Sequence, residues 1–89
     1  MVRGYKFMFH YTYKITSNSG LFYVGRHSTD DLNDGYMGSG KWVRSIKDKS
    51  KLSKEILEYF DSFDELMKAE QNLLDEYIGK KGCMNFLKS

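Results

Sequence analysis

The chain predicts a small α+β fold, and two stretches carry that expectation. Tyr11 to Arg26 holds two runs rich in aromatic and β-branched residues, separated by the turn formers Ser17-Asn18-Ser19-Gly20. That is the pattern of a β-hairpin. Ser62 to Gly79 places Phe63, Leu66, Met67, Leu73, Leu74, Tyr77 and Ile78 at helical spacing, the pattern of an amphipathic helix. Eighty-nine residues, 40% hydrophobic and 16% aromatic, suit one modest core. The whole of 1–89 is expected to form a single domain.

Residues 1 to 7 carry no periodic signal and are expected to be loosely attached. Met8 to Thr16 is the first expected strand. Phe9, Tyr11, Tyr13 and Ile15 share one face, and Met8, His10, Thr12 and Lys14 the other. In the loop, Asn18 and Gly20 are the residues suited to positive φ. Leu21 to Arg26 is the second strand, apolar on both faces as a strand covered on both sides would be. With the loop centred on Asn18, Tyr13 and Tyr23 lie opposite each other, or nearly so. A register shift of one residue would send the two phenols to opposite faces. Such tyrosines also serve simply to pack a core. Gly25 closes the second strand where another group can approach the backbone closely.

Residues 27 to 40 form a loop rich in turn residues, the kind that carries function on a rigid scaffold. Asp30, Asp34 and Gly35 fail as a calcium loop, because Leu32 fills a ligand position and Lys41 stands where a closing Glu is needed. Gly35 with Gly40-Lys41 fails as a phosphate-binding P-loop, because Trp42 follows. No nucleotide cofactor is expected. Ser39 is placed to cap a helix over about Lys41 to Asp48. Lys41, Arg44, Lys47 and Lys51 would line one face of it, with Trp42, Val43 and Ile46 on the other. A basic face is either an ordinary solvated surface or a phosphate contact, and the latter makes Lys41, Arg44 and Lys47 candidates for nucleic-acid binding. Leu52 to Phe60 fits a helical face and a buried strand equally well.

In the last helix, Ser62 and Glu65 form a capping box. Gly79 stops the helix, and Lys80 and Lys81 suit its negative end. Glu70 falls inside the apolar stripe, beside Leu66, Met67 and Leu74. A carboxylate there needs a cation, a metal or hydrogen-bond donors, unless the helix is rotated enough for it to reach water. In the tail, Asn85 between Met84 and Phe86 is a polar group expected to be tied down.

Several function classes drop out on composition. A single cysteine, Cys83, rules out an internal disulfide and a thiolate-rich zinc site, and fits a reducing compartment. No apolar run reaches the length of a membrane span or a signal peptide. A soluble, cytoplasmic protein is expected. Net charge is +2, with basic residues concentrated in Lys41 to Lys54 and acidic ones from Glu55 to Glu76.

Tyr11-Thr12-Tyr13, the ten-residue step from Tyr13 to Tyr23-Val24-Gly25, and the later Glu70 and Asn85 occur in a recognisable order. Together they resemble the GIY-YIG nuclease domain, over about residues 8 to 87. The resemblance implies a third strand at Leu52 to Phe60, pairing with the hairpin in a three-stranded antiparallel sheet flanked by helices. It also implies a metal-dependent endonuclease that hydrolyses DNA phosphodiester bonds, similar to small phage and homing endonucleases. Glu70 would be the metal ligand, for Mg2+ or Mn2+. Tyr13, or second Tyr23, would act as or assist the general base, and Asn85 would support the site. Two departures stand out. Tyr11 and Thr12 occupy the positions of the family's Gly and Ile. The family's arginine, which usually follows Tyr-Val-Gly by several residues, has no counterpart in Asp30 to Tyr36. Arg26 and His27 are the expected substitutes, and Arg44 is the other candidate. The departures leave a second reading open, a related nucleic-acid-binding module without catalysis.

Overall fold

A computed structural model describes residues 7–38 and 40–85. The elements run β1 (Phe9–Ser17), β2 (Phe22–Thr29), α1 (Lys41–Ser45), β3 (Leu52–Phe60) and α2 (Phe63–Tyr77). The fold is α+β, with one antiparallel sheet in the order β2-β1-β3. The first strand of the hairpin is therefore the central one. The stretch that fitted helix and strand equally well is β3, paired with β1 along its length, with a register irregularity at Thr12/Tyr13.

The hairpin forms as expected, with a shift. Its pairs run from Thr16↔Phe22 to Phe9↔Thr29, so the loop centres on Ser19 and not Asn18. Moving the centre by one position moves every partner by two. Tyr13 therefore pairs with Gly25, and Tyr23 with Ile15. A two-residue shift preserves the face, so both phenols still point the same way, with ring centroids 6.4 Å apart. Gly20 takes φ +91, and Asn18 does not take a positive φ. The strand also continues past Arg26 through His27 and Ser28 to Thr29.

Two layers cover the sheet. On one face Tyr11, Tyr13 and Ile15 pack with Val43 and Leu52, with Trp42, Met37, Tyr36 and Ile46 around them. On the other, α2 lies across β2 and β1 and buries Leu66 completely. Ser62 caps α2, its hydroxyl accepting from the Glu65 N–H at 3.1 Å. Gly79, at φ +91, ends the helix region.

The basic helix is shorter than the spacing predicts. It ends at Ser45, and Ile46 is already extended at φ −81, ψ 112. Two side chains account for the stop. Asp48 accepts from the Ser50 N–H and starts a 3-10 turn over Lys49–Lys51, the local competition that short polar side chains offer a helix. Lys49 donates to the carbonyls of Val43 and Ile46. Lys47 and Lys51 therefore do not share a helical face with Lys41 and Arg44. The expected Ser39 cap, residues 1–6, and Phe86 and Leu87 at the far end lie outside the described residues. Among the described residues no helix is long and apolar enough to cross a membrane.

Candidate functional site

An open cleft of about 370 Å³ wraps around the free edge of β2. Alternation along the strand puts different residues on its two sides. Tyr13, Tyr23, Gly25, His27 and Tyr36 come from the aromatic face, and Arg26, Ser28, Phe63 and Glu70 from the α2 face. Gly25 sits between the two groups. It is a glycine because a Cβ there would lie 2.6 Å from the Tyr13 hydroxyl. Gly40 has the same reason, since a Cβ there would overlap the Tyr23 ring. Gly38 has a different one, a backbone φ of +100, with a Cβ in ordinary contact with the Tyr13 hydroxyl. Gly25 and Gly40 therefore seat two tyrosines.

Glu70 faces inward, as its place in the apolar stripe predicts, and its partner is a cation. The Arg26 Nε donates to Glu70 Oε1 at 3.0 Å, with the side chains 34% and 25% exposed. The guanidinium carbon lies 5.2 Å from the Phe63 ring centroid. Arg26 thus lines the same cleft as Tyr13 and Tyr23, from the opposite face of β2. Arg44 is exposed on α1 and does not line the cleft.

His27 lies on the aromatic side. Its Nε2 is 2.8 Å from Asp34 Oδ2, and its ring stacks on Tyr36, with centroids 3.5 Å apart and planes 1° from parallel. The His27 hydrogen bond, with the Tyr36 backbone N–H, holds the Asp34 carboxyl down at about 2. Tyr36 in turn places its hydroxyl 3.3 Å from that of Tyr13. Sequence reasoning placed Tyr36 and Asp34 in a turn-rich loop, weighing Asp34 only as part of a failed calcium loop. The strand alternation of β2, had it been extended through Thr29, would have put His27 on the tyrosine face.

Lys54 is the third residue that sequence reasoning missed. It projects from β3 under the aromatic face and donates to the Tyr11 hydroxyl at 2.5 Å and the Tyr36 carbonyl at 2.9 Å. Its ammonium lies 4.8, 5.9 and 5.5 Å from the ring centroids of Tyr11, Tyr13 and Tyr36. Burial lowers its pKa, against an opposing pull from Asp34. The alternation Leu52, Lys54, Ile56 was the available signal, a lysine on the buried face of a strand.

Both site tyrosines are harder to ionise than free phenol. Burial pushes Tyr13 far up, helped by the hydrogen bond to Tyr36 and by the negative field of Glu70. Burial also raises Tyr23, with Tyr36 and Glu70 adding to it. Tyr11, fully buried, is pushed up to about 12, mainly by burial. At neutral pH all three are phenols.

Asn85 acts from outside the cleft. Its Oδ1 accepts from the Val24 N–H at 2.9 Å, and its Nδ2 donates to the Val24 carbonyl at 2.7 Å. The side-chain amide imitates a neighbouring strand one residue before Gly25. Phe22 pairs with the backbone of Gly82 and Met84 in the same way. Lys41 and Lys47 are exposed and, like Arg44, lie outside the cleft lining.

The carboxylates present decide whether a divalent cation could be held. Among the described residues no group of three or more His, Cys, Asp or Glu side chains is placed to hold a metal. Glu70 alone offers a carboxylate in the cleft, with one oxygen taken by Arg26. That donor set fits magnesium or manganese held by one carboxylate, water and a substrate phosphate.

No protein-family model and no solved structure matches the chain. Proteins of Enterobacteria phage T4 do. "Putative endonuclease segB" is 51% identical over 83 residues, which are 88% of this chain and 38% of that protein. "Putative endonuclease segE" is 39% identical over 83 residues, 88% of this chain and 40% of that protein. "Endonuclease segA" is 42% identical over 71 residues, 74% of this chain and 32% of that protein. Over most of its length this chain is therefore similar to phage T4 proteins named as endonucleases, of whose length it spans between 32% and 40%.

Proposed function

We propose that this chain is the catalytic part of a GIY-YIG-type endonuclease that hydrolyses DNA phosphodiester bonds with a divalent cation. The carrying observation is the convergence of Tyr13, Tyr23, Arg26 and Glu70 on one cleft at Gly25. Phage T4 relatives named as endonucleases support the same class of reaction.

The residues divide the work. Glu70 holds the cation. A magnesium or manganese ion held there would supply Lewis-acid polarisation of the phosphoryl and leaving oxygens. Arg26 offers a guanidinium, always charged and forked, to the phosphoryl oxygens as charge builds on them. The Tyr13 oxygen accepts a hydrogen bond from the attacking water and aligns it, and Tyr23 supports it from the cleft wall. For either phenol to take the proton, positive charge must offset its burial. The Lys54 ammonium and the incoming cation are the two sources. His27, oriented by Asp34, is a second proton acceptor within the same wall. Lys41, Arg44 and Lys47 contribute phosphate contacts outside the cleft.

The second reading, a nucleic-acid-binding module without catalysis, is favoured by one observation: burial holds both site phenols protonated. A plasmid-nicking assay with and without magnesium separates the two. Nicking that needs magnesium and is lost in a folded Glu70→Gln variant supports catalysis. DNA binding without nicking moves the chain to the second reading.

A further inference from the structure

The Arg26–Glu70 ion pair has a consequence for what the cleft accepts. The carboxylate that would hold a cation is already neutralised by a guanidinium 3.0 Å away. The pair is braced, because the guanidinium also rests against Phe63. A free cation approaching Glu70 meets a fixed positive charge and competes for the carboxylate. The bond to Glu70 uses Nε. Among the described residues the terminal nitrogens of Arg26 make no hydrogen bond, so they are open to an anion from the cleft. A phosphodiester that engages them neutralises the guanidinium and supplies oxygen ligands at the same place.

We propose that Arg26 makes the Glu70 site selective for a cation that arrives together with a phosphodiester, and discriminates against the free cation. This rests on Glu70 as the cation ligand, the reading given above. The two ligands then bind with positive coupling. Each must raise the affinity of the other by the same factor, because linkage is reciprocal.

Manganese binding measured by electron paramagnetic resonance, from the signal of the free ion, tests this without any cleavage. Dimethyl phosphate is the probe, a phosphodiester too inert to be consumed, with a protein-free blank for its own affinity for manganese. Wild-type protein is expected to bind manganese weakly alone, and about tenfold or more tightly with saturating dimethyl phosphate. Arg26→Met is expected to bind manganese more tightly than wild type in the absence of phosphodiester, and to lose the enhancement. Arg26→Lys keeps the charge and should retain part of the enhancement, which guards against a loss caused by misfolding of the methionine variant. Manganese affinity that ignores dimethyl phosphate in the wild type, or an enhancement undiminished in Arg26→Met, overturns the proposal while leaving Glu70 as a ligand. Unchanged manganese binding by Glu70→Gln removes the cation site itself, and the proposal with it.

Discussion

Replacing Gly25 with alanine tests the seat of Tyr13 with a single methyl group. The added carbon would lie 2.6 Å from the Tyr13 hydroxyl oxygen and 2.9 Å from the ring carbon that bears it. Ordinary contact begins near 3.4 Å, so the phenol must retreat by roughly 0.8 Å. It has little room. Tyr13 is 1% exposed, Tyr36 lies 3.3 Å from its hydroxyl, and Gly38 closes the far side. Overpacking of this kind costs about 1–3 kcal/mol. Taking about 2 kcal/mol, the melting temperature of a domain this size should fall by about 8–16 °C. Misplacing a reacting group by about 1 Å can cost roughly a hundredfold, so magnesium-dependent nicking should drop by one to two orders of magnitude. Differential scanning calorimetry and plasmid nicking read the two effects. The diagnostic partner is Tyr13→Phe, which removes the closest atom. In the Gly25→Ala background it should restore part of the lost melting temperature, a coupling that independent sites would not show. A Gly25→Ala protein that melts within about 1 °C of wild type and nicks normally would refute the close approach and the catalytic placement together.

Replacing Lys41, Arg44 and Lys47 together with alanine should weaken DNA binding and flatten its salt dependence. The slope of log affinity against log salt is expected to shrink by about 0.9 for each phosphate contact removed, and an unchanged slope would mark these residues as merely solvated. Asn85→Ala removes two hydrogen bonds from the edge of β2 and should destabilise by about 1–3 kcal/mol, visible as a lower calorimetric midpoint. Asp34 titrates at about 2 when folded, below its ordinary 3.8, through its bond to His27. A lowered carboxyl contributes stability above the unfolded value, and that contribution is lost as pH falls towards the folded one. Asp34→Asn should therefore melt below wild type at pH 5, with the gap closing as pH approaches 2.

What the sequence revealed depended on how local each signal was. The capping box at Ser62 and the inward position of Glu70 follow from spacing along one helix, and both are present in the structure. The hairpin was equally legible, but its register was not. Four turn-forming residues in a row allow the loop to centre on Asn18 or on Ser19, and the observed register goes with Gly20 at φ +91 and with Tyr13 packed over Gly25. β3 needed the family resemblance, since Ile56-Leu57-Glu58-Tyr59-Phe60 satisfies both periods. The end of α1 was set by Asp48 and Lys49, whose bonds run to backbone groups that a periodicity argument ignores. Tyr36 and Lys54 escaped for the opposite reason. Their roles arise from contacts between segments far apart in sequence, such as the Lys54 bond to Tyr11 across 43 positions; Asp34 instead needed β2 to be extended as far as its near neighbour His27. Arg26 was chosen for its nearness to the hairpin motif, and the structure puts it in the cleft. That it would be the cation balancing Glu70 was not foreseen.

The tail that seals β2 also decides where the sheet remains open. It occupies the outward backbone groups of Phe22 and Val24. By the two-residue alternation of the strand, the next outward groups belong to Arg26 and Ser28, and the described part of the tail ends at Asn85. Among the described residues no further backbone hydrogen bond reaches the outward groups of Arg26 and Ser28, and an unpaired strand edge is the kind of surface that invites another strand to add on. On the proposed function the cleft would have to stay open to a nucleic-acid backbone, which a covering loop would block. Charge is the remaining protection, and Arg26 and Glu70 stand at that edge. Charge at an edge disfavours added strands, so a variant with apolar residues at both positions is expected to self-associate more readily than wild type, as light scattering would show.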